Sequence, residues 1–380
     1  MAGLYPLGAG MNTLWDAVLV GAGPAGSATA LGLAERGHRV VLLDRRVAGG
    51  DKVCGEGLMP PGVAALERLG VALPSQMGHP FVGIGYHAGR ATARARFPGE
   101  AGRGVRRLHL DAHLARAVEA HPAIEVRRPV RVRGAQVAVD GVVVRTDHGD
   151  MRGRALVAAD GLHSPLRKTL GLERPIGPLR RYGARQHFRT VEPVLPWVDV
   201  HAGGQGELYL TPVGPHLVNV ALLFGEGVAR RFRGGLQLEF DAIVAQYPRL
   251  APLLAGAEPV SDVALTGPLR RACTDVVADA TVLVGDAAGF VDAVTGEGMS
   301  LSLLSAELAV DTLSTAIRSG NLRAVDLRGY SRGRRRLARR LHWLTEIVVW
   351  GLRRPRLAES FVQQLERNPF LFSALLRSLA

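Results

Sequence analysis

The stretch that decides the fold is Val18-Leu19-Val20-Gly21-Ala22-Gly23-Pro24-Ala25-Gly26-Ser27. Its first three residues continue a short apolar run, which is typical of a strand buried on both faces of a parallel sheet. Gly21 permits a tight turn, Gly23 lets the backbone approach a phosphate, and Gly26 lets the following helix pack closely on the strand. The pattern predicts a strand, a glycine loop and a helix over 24–36.

An acidic residue follows the second predicted strand. Arg39-Val40-Val41-Leu42-Leu43 ends in Asp44, about twenty residues beyond the glycine loop, where a carboxylate can accept hydrogen bonds from an adenosine ribose. The free N–H groups at the start of the first helix form an anion site. This βαβ-like opening predicts a dinucleotide site, and the alternative is a P-loop-like or purely structural turn.

Two further turns at the ends of strands combine glycine with aspartate. They are Ala159-Asp160-Gly161-Leu162-His163-Ser164 and Leu283-Val284-Gly285-Asp286-Ala287-Ala288-Gly289. With the three motifs in this order, the chain resembles the large family of FAD-dependent oxidoreductases that includes aromatic-ring (group A) monooxygenases, geranylgeranyl reductases and flavin-dependent halogenases. The resemblance implies that the Asp-Gly turn lies near the pyrophosphate and the nicotinamide approach, and that Asp286 holds the ribityl chain.

The resemblance extends to two other segments. Asp292-Ala293-Val294-Thr295-Gly296-Glu297-Gly298 is similar to the family's segment that ends under the isoalloxazine ring, although most relatives carry Pro in place of Ala293. The dipole of the helix predicted after it, to about 319, would stabilise an anionic reduced flavin. Arg107 is in register with a family arginine that contacts the cofactor, and the alternative is a solvated surface arginine. The predicted FAD contacts are Gly21, Gly23, Pro24, Ala25, Gly26, Asp44, Arg45, Cys54, Gly55, Arg107, Asp160, Gly161, Gly285, Asp286, Gly296 and Gly298.

The resemblance implies an α/β fold made of a Rossmann-like FAD-binding domain of the glutathione-reductase type, an inserted antiparallel β-sheet substrate domain and C-terminal helices. Apolar runs broken by Gly and Pro support strands in the insert, at 185–188, 197–201 and 217–223, with 92–97 pairing beside them. The expected parts are a discontinuous FAD-binding domain (12–75, 100–175 and 276–330), a substrate domain (76–99 and 176–275) and a helical segment (331–380).

Bulk properties exclude several classes of function. The 380 residues carry a formal charge of +13, and all but two of the 47 basic residues are arginines. These arginines are scattered without stacking aromatics, so nucleic-acid binding is not expected. The sequence contains no run of eighteen apolar residues, so a membrane span is not expected either. The segment 1–13 is interpreted as a short tail and not a signal peptide. Cys54 and Cys273 form neither a disulfide framework nor a metal-ligand cluster, so we expect a cytoplasmic protein without a metal.

The last fifty residues differ in character from the rest. Six arginines fall within 332–340, and an apolar run over 341–352 follows, too short to span a bilayer. The spacing predicts a helix packed on the body of the protein with its arginines in solvent. The alternative is a lid or a helix that makes peripheral contact with a membrane surface.

One loop narrows the chemistry. Asp51-Lys52-Val53-Cys54-Gly55-Glu56-Gly57-Leu58-Met59-Pro60-Pro61-Gly62, which we expect to lack regular structure, resembles the Lys-x-Cys-Gly loop of geranylgeranyl reductases and of bacterial monooxygenase-like relatives. In those proteins the loop passes beside the isoalloxazine ring. Cys54 is therefore a candidate redox or substrate-facing thiol, and the alternative is a packed small residue.

Three reactions remain open within this family. The favoured one is hydroxylation of a hydrophobic aromatic or polyketide-like molecule through a C4a-hydroperoxyflavin, with transiently bound NADPH or NADH, or a separate flavin reductase, as the source of electrons. The alternative is reduction of C=C bonds in a prenyl or lipid substrate, although 207–212 keeps only Tyr209 and Pro212 of the reductases' Tyr-x-Trp-x-Phe-Pro. Halogenation is disfavoured because the chain has no Trp-x-Trp-x-Ile-Pro and no suitably placed lysine.

The candidate catalytic residues lie on the predicted insert and in the cysteine loop. Arg185 and His187 are two residues apart on a predicted strand and therefore share a face, and Tyr209 lies on a neighbouring stretch. Together with Cys54 they form the predicted catalytic set, because such side chains can polarise or deprotonate a phenol. The alternative for each is an ordinary polar residue on the outer face of the sheet.

Overall fold

The computed structural model describes residues 13–47, 50–178, 180–291, 296, 298–352 and 355–379. Of residues 340–350, 355–356, 375 and 378–379 only the backbone is described. Residues 1–12 of the predicted tail lie outside the described part of the chain, and so do Ala293 and its neighbours in the segment expected under the flavin ring.

A mainly parallel sheet forms the first layer, with Leu14–Val20 near its centre. Ala17, Val18 and Leu19 are fully buried because helices pack on the sheet, which is the environment that the apolar run predicts. Across the six strands that follow one another in this sheet only the first pair of neighbours is antiparallel, and a hairpin beside them also pairs in antiparallel fashion. The strands, in spatial order, are Val277–Ala278, Thr281–Leu283, Gly149–Ala158, Leu14–Val20, Val40–Leu43 and Ile124–Arg127, with a hairpin of Val132–Ala138 and Gly141–Thr146 beside Gly149–Ala158.

Three helices bury their apolar residues against the parallel sheet or against one another. The first begins at Pro24 directly after the glycine loop and ends at Ala34, two residues earlier than the sequence predicts. These helices are Pro24–Ala34, Arg107–Ala120 and Gly298–Ser319.

A second, mostly antiparallel sheet is built from the inserted segments. Its single parallel contact joins Val198–Gly203 to Gly83–Ala88. One face packs on short helices that follow the last long strand, and the other face is turned toward the glycine motifs. The strands, in spatial order, are Glu258–Pro259, Arg181–Arg189, Leu217–Gly225, Gly206–Gly214, Val198–Gly203, Gly83–Ala88 and Ala91–Arg96, and Ala264–Thr266 also pairs with Arg181–Arg189.

Small elements join the two sheets. The loop expected to lack regular structure contains a short strand and a helix, because Gly57–Leu58 pairs with Gly102–Gly104 and two prolines occupy the first turn of Pro60–Arg68. The minor strands are Gly57–Leu58, His79–Phe81, Gly102–Gly104, Glu173–Arg174 and Ala272–Cys273. The minor helices are Pro60–Arg68, Pro165–Thr169, Glu226–Arg231, Leu236–Val244 and Ala251–Leu254, with single 3₁₀ turns at Phe232–Gly234, Pro248–Leu250 and Gly285–Ala288.

Three helices, Arg328–Leu352, Pro355–Arg367 and Pro369–Leu379, end the described chain. They bury Val362, Phe372 and other apolar side chains in the cluster that also contains Tyr86 of the second sheet. The rings of Tyr86 and Phe372 lie 5.4 Å apart. Among the described helices, none has the length and apolarity to cross a membrane.

Candidate cofactor and substrate site

The three glycine motifs meet at one place. A Cβ added to Gly21 would lie 2.3 Å from the carbonyl oxygen of Ala159, and one added to Gly285 would lie 2.8 Å from the Cβ of Ala25. Within the first motif, a Cβ on Gly26 would lie 1.8 Å from the carbonyl oxygen of Gly21. The glycines are therefore required by contacts between backbone segments, and the motifs form a single site.

The start of the helix Pro24–Ala34 opens onto this site. Its N-cap, Gly23, provides no side chain to cap the first N–H groups, and a Cβ on Gly23 would meet only the Arg107 guanidinium, at 3.5 Å. Arg107 is 6% exposed and is held by Asp111, with 2.7 Å from Nε to Oδ1. A helix N-terminus facing a fixed guanidinium is an arrangement that binds a pyrophosphate.

Asp44 lies at the end of the second strand, beside the glycine loop. Its Oδ2 accepts a hydrogen bond from the Ala22 amide at 2.7 Å, and its Oδ1 accepts one from the Arg46 amide at 2.8 Å. The neighbouring Arg45 is exposed. The carboxylate is thus fixed next to the loop, where the ribose of a dinucleotide would reach it.

Two further aspartates face the site from the second and third motifs. Oδ2 of Asp160 accepts from the Leu166 amide at 3.1 Å, whereas its Oδ1 is buried without a donor among the described residues. Burial raises the pKa of Asp160. Asp286 forms an ion pair with Lys52 at 3.1 Å. An uncapped helix start, an open glycine cradle and a buried acceptor without a donor all fit a bound FAD.

A cavity extends from the glycine motifs to the second sheet. Ile84, Val198, Val200 and Leu223 form an apolar wall, since paired strands place these side chains on one face, and Leu269, which follows the sheet's last strand, adds to it. Residues of the cysteine loop also line the cavity. The cavity therefore joins a polar, phosphate-binding end to an apolar end.

Glu56 is the centre of a buried polar network in the cysteine loop. Glu56 and His187 are both 0% exposed, and 2.7 Å separates Oε2 of Glu56 from Nε2 of His187. Oε1 of Glu56 accepts from the Arg107 amide at 2.7 Å. The other ring nitrogen of His187 lies 3.0 Å from the Ser261 hydroxyl. The acid thus links the second sheet to the helix start that carries Arg107.

Two other residues of the second sheet hold the same loop. Arg185 forms an ion pair with Asp51 at 2.7 Å, and the Asn219 amide donates to the carbonyl oxygen of Cys54 at 2.9 Å. Arg185 and His187 share a face, as the sequence predicts, but their side chains contact the loop and not the cavity. Their positions make them positioning residues for the loop.

Cys54 and Tyr209 do line the cavity. Burial raises the pKa of the Cys54 thiol, which keeps it protonated at neutral pH. The Glu56 amide lies 3.4 Å from its sulfur. Tyr209 is buried on the apolar wall.

The predicted site residues divide into two groups, with Arg45 outside both. Those that line the cavity are Gly23, Pro24, Ala25, Cys54, Gly55, Arg107, Gly161, Tyr209, Asp286, Gly296 and Gly298. Those that lie next to it or support it are Gly21, Gly26, Asp44, Asp160, Arg185, His187 and Gly285, and Arg45 is directed to solvent.

Sequence reasoning did not assign roles to Glu56, Asn219, Lys52 or Arg167. Arg167 is fully buried and donates to the carbonyl oxygens of Leu162 and Ala287, at 3.0 and 3.1 Å, which ties the second motif to the third. The sequence places Arg167 three residues after the Asp-Gly motif, but it does not show the partners of Arg167. No group of three or more His, Cys, Asp or Glu side chains in the described part of the chain could hold a metal ion.

Comparison with known proteins identifies the family. Residues 15–344 match the FAD binding domain family. A menaquinone reductase of Mycolicibacterium smegmatis is 29% identical over 326 residues, 80% of this chain and 78% of the relative. A digeranylgeranylglycerophospholipid reductase 2 of Methanopyrus kandleri is 29% identical over 336 residues, 83% of this chain and 81% of the relative.

Solved structures share the fold. The flavin-dependent halogenase CmlS superimposes with a TM-score of 0.80 at 22% identity, over 88% of this chain and 64% of the halogenase. A geranylgeranyl bacteriochlorophyll reductase-like protein of Thermoplasma acidophilum gives 0.77 at 20% identity, over 93% of this chain and 91% of that protein. The predicted fold class and family resemblance are confirmed. The chain belongs to the FAD binding domain family and is an FAD-dependent oxidoreductase.

Proposed function

We propose that this oxidoreductase reduces C=C bonds in the isoprenoid part of a lipid or quinone. The observation that carries the proposal is the placement of a protonated thiol, Cys54, in a cavity that also has an apolar wall. The sequence analysis gives this reaction as the alternative, and two features of the site together with the named relatives favour it over hydroxylation.

The first support is the chemistry of the wall. Ile84, Val198, Val200 and Leu223 present hydrocarbon to the cavity, and the C-terminal helices cover the same apolar cluster with Val362 and its neighbours. Such a surface gains free energy by taking up hydrocarbon, at about 25 cal/mol for each Å² removed from water. A prenyl chain would bury its hydrocarbon along this wall.

The second support is the position of an acid. FAD, when bound and reduced by NADPH or NADH, would supply a hydride to one carbon of the double bond. The other carbon needs a proton, which the Cys54 thiol can donate because it is protonated, and the thiolate left behind would regain its proton from solvent. Glu56 and His187, hydrogen-bonded to each other next to this residue, fix the loop that presents the thiol.

The named relatives agree with this class of reaction. A menaquinone reductase and a digeranylgeranylglycerophospholipid reductase each match more than three quarters of this chain at 29% identity. The hydroxylation of an aromatic or polyketide-like molecule stays a prediction, and Tyr209, whose ring lies on the cavity wall, is the residue that favours an aromatic substrate.

Anaerobic turnover separates the two reactions. FAD-loaded protein is incubated with NADPH or NADH and either a menaquinone, a geranylgeranyl lipid or a set of phenols, and products are analysed by mass spectrometry. We expect a gain of two hydrogen atoms on an isoprenoid substrate without oxygen. Cys54→Ser, which keeps the size of the side chain but not its acidity, should slow this reaction by about 10²-fold or more. A product that requires oxygen and gains an oxygen atom would refute the reductase.

A further inference from the structure

A second cavity shares Phe290 as a lining residue with the cavity of the FAD site. We call it the arginine pocket, and we propose that it binds a phosphate group of a ligand that acts at the flavin. It has a volume of about 460 Å³, within the range of small-molecule sites. The arginines that line it are Arg174, Arg270, Arg271, Arg334, Arg335 and Arg339.

The positive charge of this pocket is not balanced within the described part of the chain. Asp275 is the one carboxylate among the described lining residues, and it lies 3.9 Å from Arg335. No other arginine of the pocket has a carboxylate within 4.0 Å among the described residues. Arg271 contacts two neutral acceptors, the Arg270 carbonyl oxygen at 2.6 Å and a ring nitrogen of His163 at 2.8 Å. An uncompensated cluster of this kind attracts anions.

Arg334 shows that the pocket is built into the fold. It is only 7% exposed, and its guanidinium donates to the Gly289 carbonyl oxygen at 3.3 Å. Its Nε is buried and has no partner among the described residues. Burying a guanidinium with an unused donor costs free energy, which an anionic ligand in the pocket would recover.

A phosphate matches this set of donors better than other anions do. Guanidinium groups bind phosphate through paired hydrogen bonds, and several arginines can share its oxygens. The volume admits a diphosphate as readily as a monoester. Several arginines around one cavity therefore point to a phosphate ester or diphosphate.

The position of the pocket indicates what carries the phosphate. Phe290 lines both this pocket and the cavity of the FAD site, and Gly289 ends the third glycine motif. A ligand anchored here would extend toward the flavin. Two ligand classes have the required chemistry: a nicotinamide nucleotide and a prenyl lipid phosphate. The inference concerns binding and does not depend on which reaction follows.

Titration calorimetry with inorganic pyrophosphate tests the site directly on the FAD-loaded protein. We expect one binding site, weakened about tenfold or more in Arg270→Gln/Arg339→Gln, which corresponds to about 1.4 kcal/mol or more. Arg336→Gln is the matched control, because Arg336 is exposed on the same helix as Arg339 and does not line the pocket. Equal FAD content shows that the variants are folded. Absence of binding, or equal weakening by the control, refutes the inference.

Competition experiments then identify the source of the phosphate. NADP⁺ and NAD⁺ form one pair, and geranylgeranyl diphosphate and geranylgeraniol form the other. A nucleotide site predicts that NADP⁺ or both nucleotides displace pyrophosphate, and a lipid site predicts that only the diphosphate of the second pair does so. If no member of either pair displaces pyrophosphate, the assignment to a ligand of the flavin site is wrong. None of these readouts needs turnover, so they stand even if the proposed reductase activity fails.

Discussion

Replacing Glu56 with Ala removes the acceptor at the centre of the buried network. Two donors lose their partner, the Arg107 amide and Nε2 of His187, each now 2.7 Å from a Glu56 oxygen. Because Glu56 and His187 are both 0% exposed, water cannot replace the lost bonds without rearrangement. Each buried donor left unpaired costs about 1–3 kcal/mol, so we expect Glu56→Ala to lower the free energy of unfolding by about 2–6 kcal/mol.

Urea unfolding of the FAD-loaded protein, followed by circular dichroism, measures this loss. Glu56→Gln keeps the size of the side chain and one carbonyl oxygen, so it should lose about half as much, roughly 1–3 kcal/mol. Glu100→Ala is the control, since Glu100 is exposed and surface substitutions usually change stability by less than about 0.5 kcal/mol. In the double variant with His187→Phe, the two losses should not add, because the residues share one hydrogen bond.

Two results would contradict this role of Glu56. If Glu56→Ala unfolds within about 0.5 kcal/mol of Glu100→Ala, the network does not stabilise the loop. If the losses of unfolding free energy in Glu56→Ala and His187→Phe simply add in the double variant, the contact between the two residues contributes nothing to stability, even if each residue contributes alone.

Two further predictions concern the retention of FAD and the pH dependence of stability. Gly26→Ala should abolish retention of FAD during gel filtration, because the new Cβ would lie 1.8 Å from the Gly21 carbonyl oxygen. Gly99→Ala is the control and should retain FAD, because a Cβ on Gly99 meets no described atom within 4 Å. Equal FAD content in the two variants would contradict the prediction. Burial, with the nearby His87, lowers the pKa of His201 from 6.5 to about 3, so the unfolded chain takes up a proton that the folded chain refuses as the pH falls below 6.5. The stability that comes from keeping His201 neutral is therefore complete above pH 6.5 and is lost toward pH 3, with about 2 kcal/mol lost by about pH 5. His201→Asn should remove this part of the pH dependence of the free energy of unfolding in urea. An unchanged pH dependence would show that His201 is not its source.

The cofactor half of the fold could be predicted from the sequence because its determinants are local. Gly21 and Gly26 are five residues apart, and the requirement for glycine at 26 comes from the Gly21 carbonyl itself. Ala17, Val18 and Leu19 in the strand before them are fully buried, as the apolar run predicts. Two differences fall in this half: the first helix ends at Ala34, not at 36, and the loop expected to lack regular structure contains Gly57–Leu58 and the start of Pro60–Arg68.

The substrate half depended on contacts that no local pattern contains. Glu56 and His187 are 131 residues apart in the chain. Glu56 has a φ of 62°, and nothing in the residue type predicts this backbone conformation. The short strand at Gly57–Leu58 exists only because Gly102–Gly104 lies beside it. Sequence periodicity placed Arg185 and His187 on one face of a strand, but it could not tell that this face meets a loop.

The cysteine loop couples the two halves, and this constrains how the chemistry can change. On the sheet side it is held by Asn219, which donates to the carbonyl oxygen of Cys54, and on the cofactor side Lys52 pairs with Asp286. A substitution at Asn219 therefore acts on the thiol and on the carboxylate expected to hold the ribityl chain, although it contacts only one of them. Substitutions in this loop therefore cannot change the substrate preference without also affecting the position of the cofactor. Substitutions in the apolar wall, for example at Val200, can change the fit of the substrate without moving the loop.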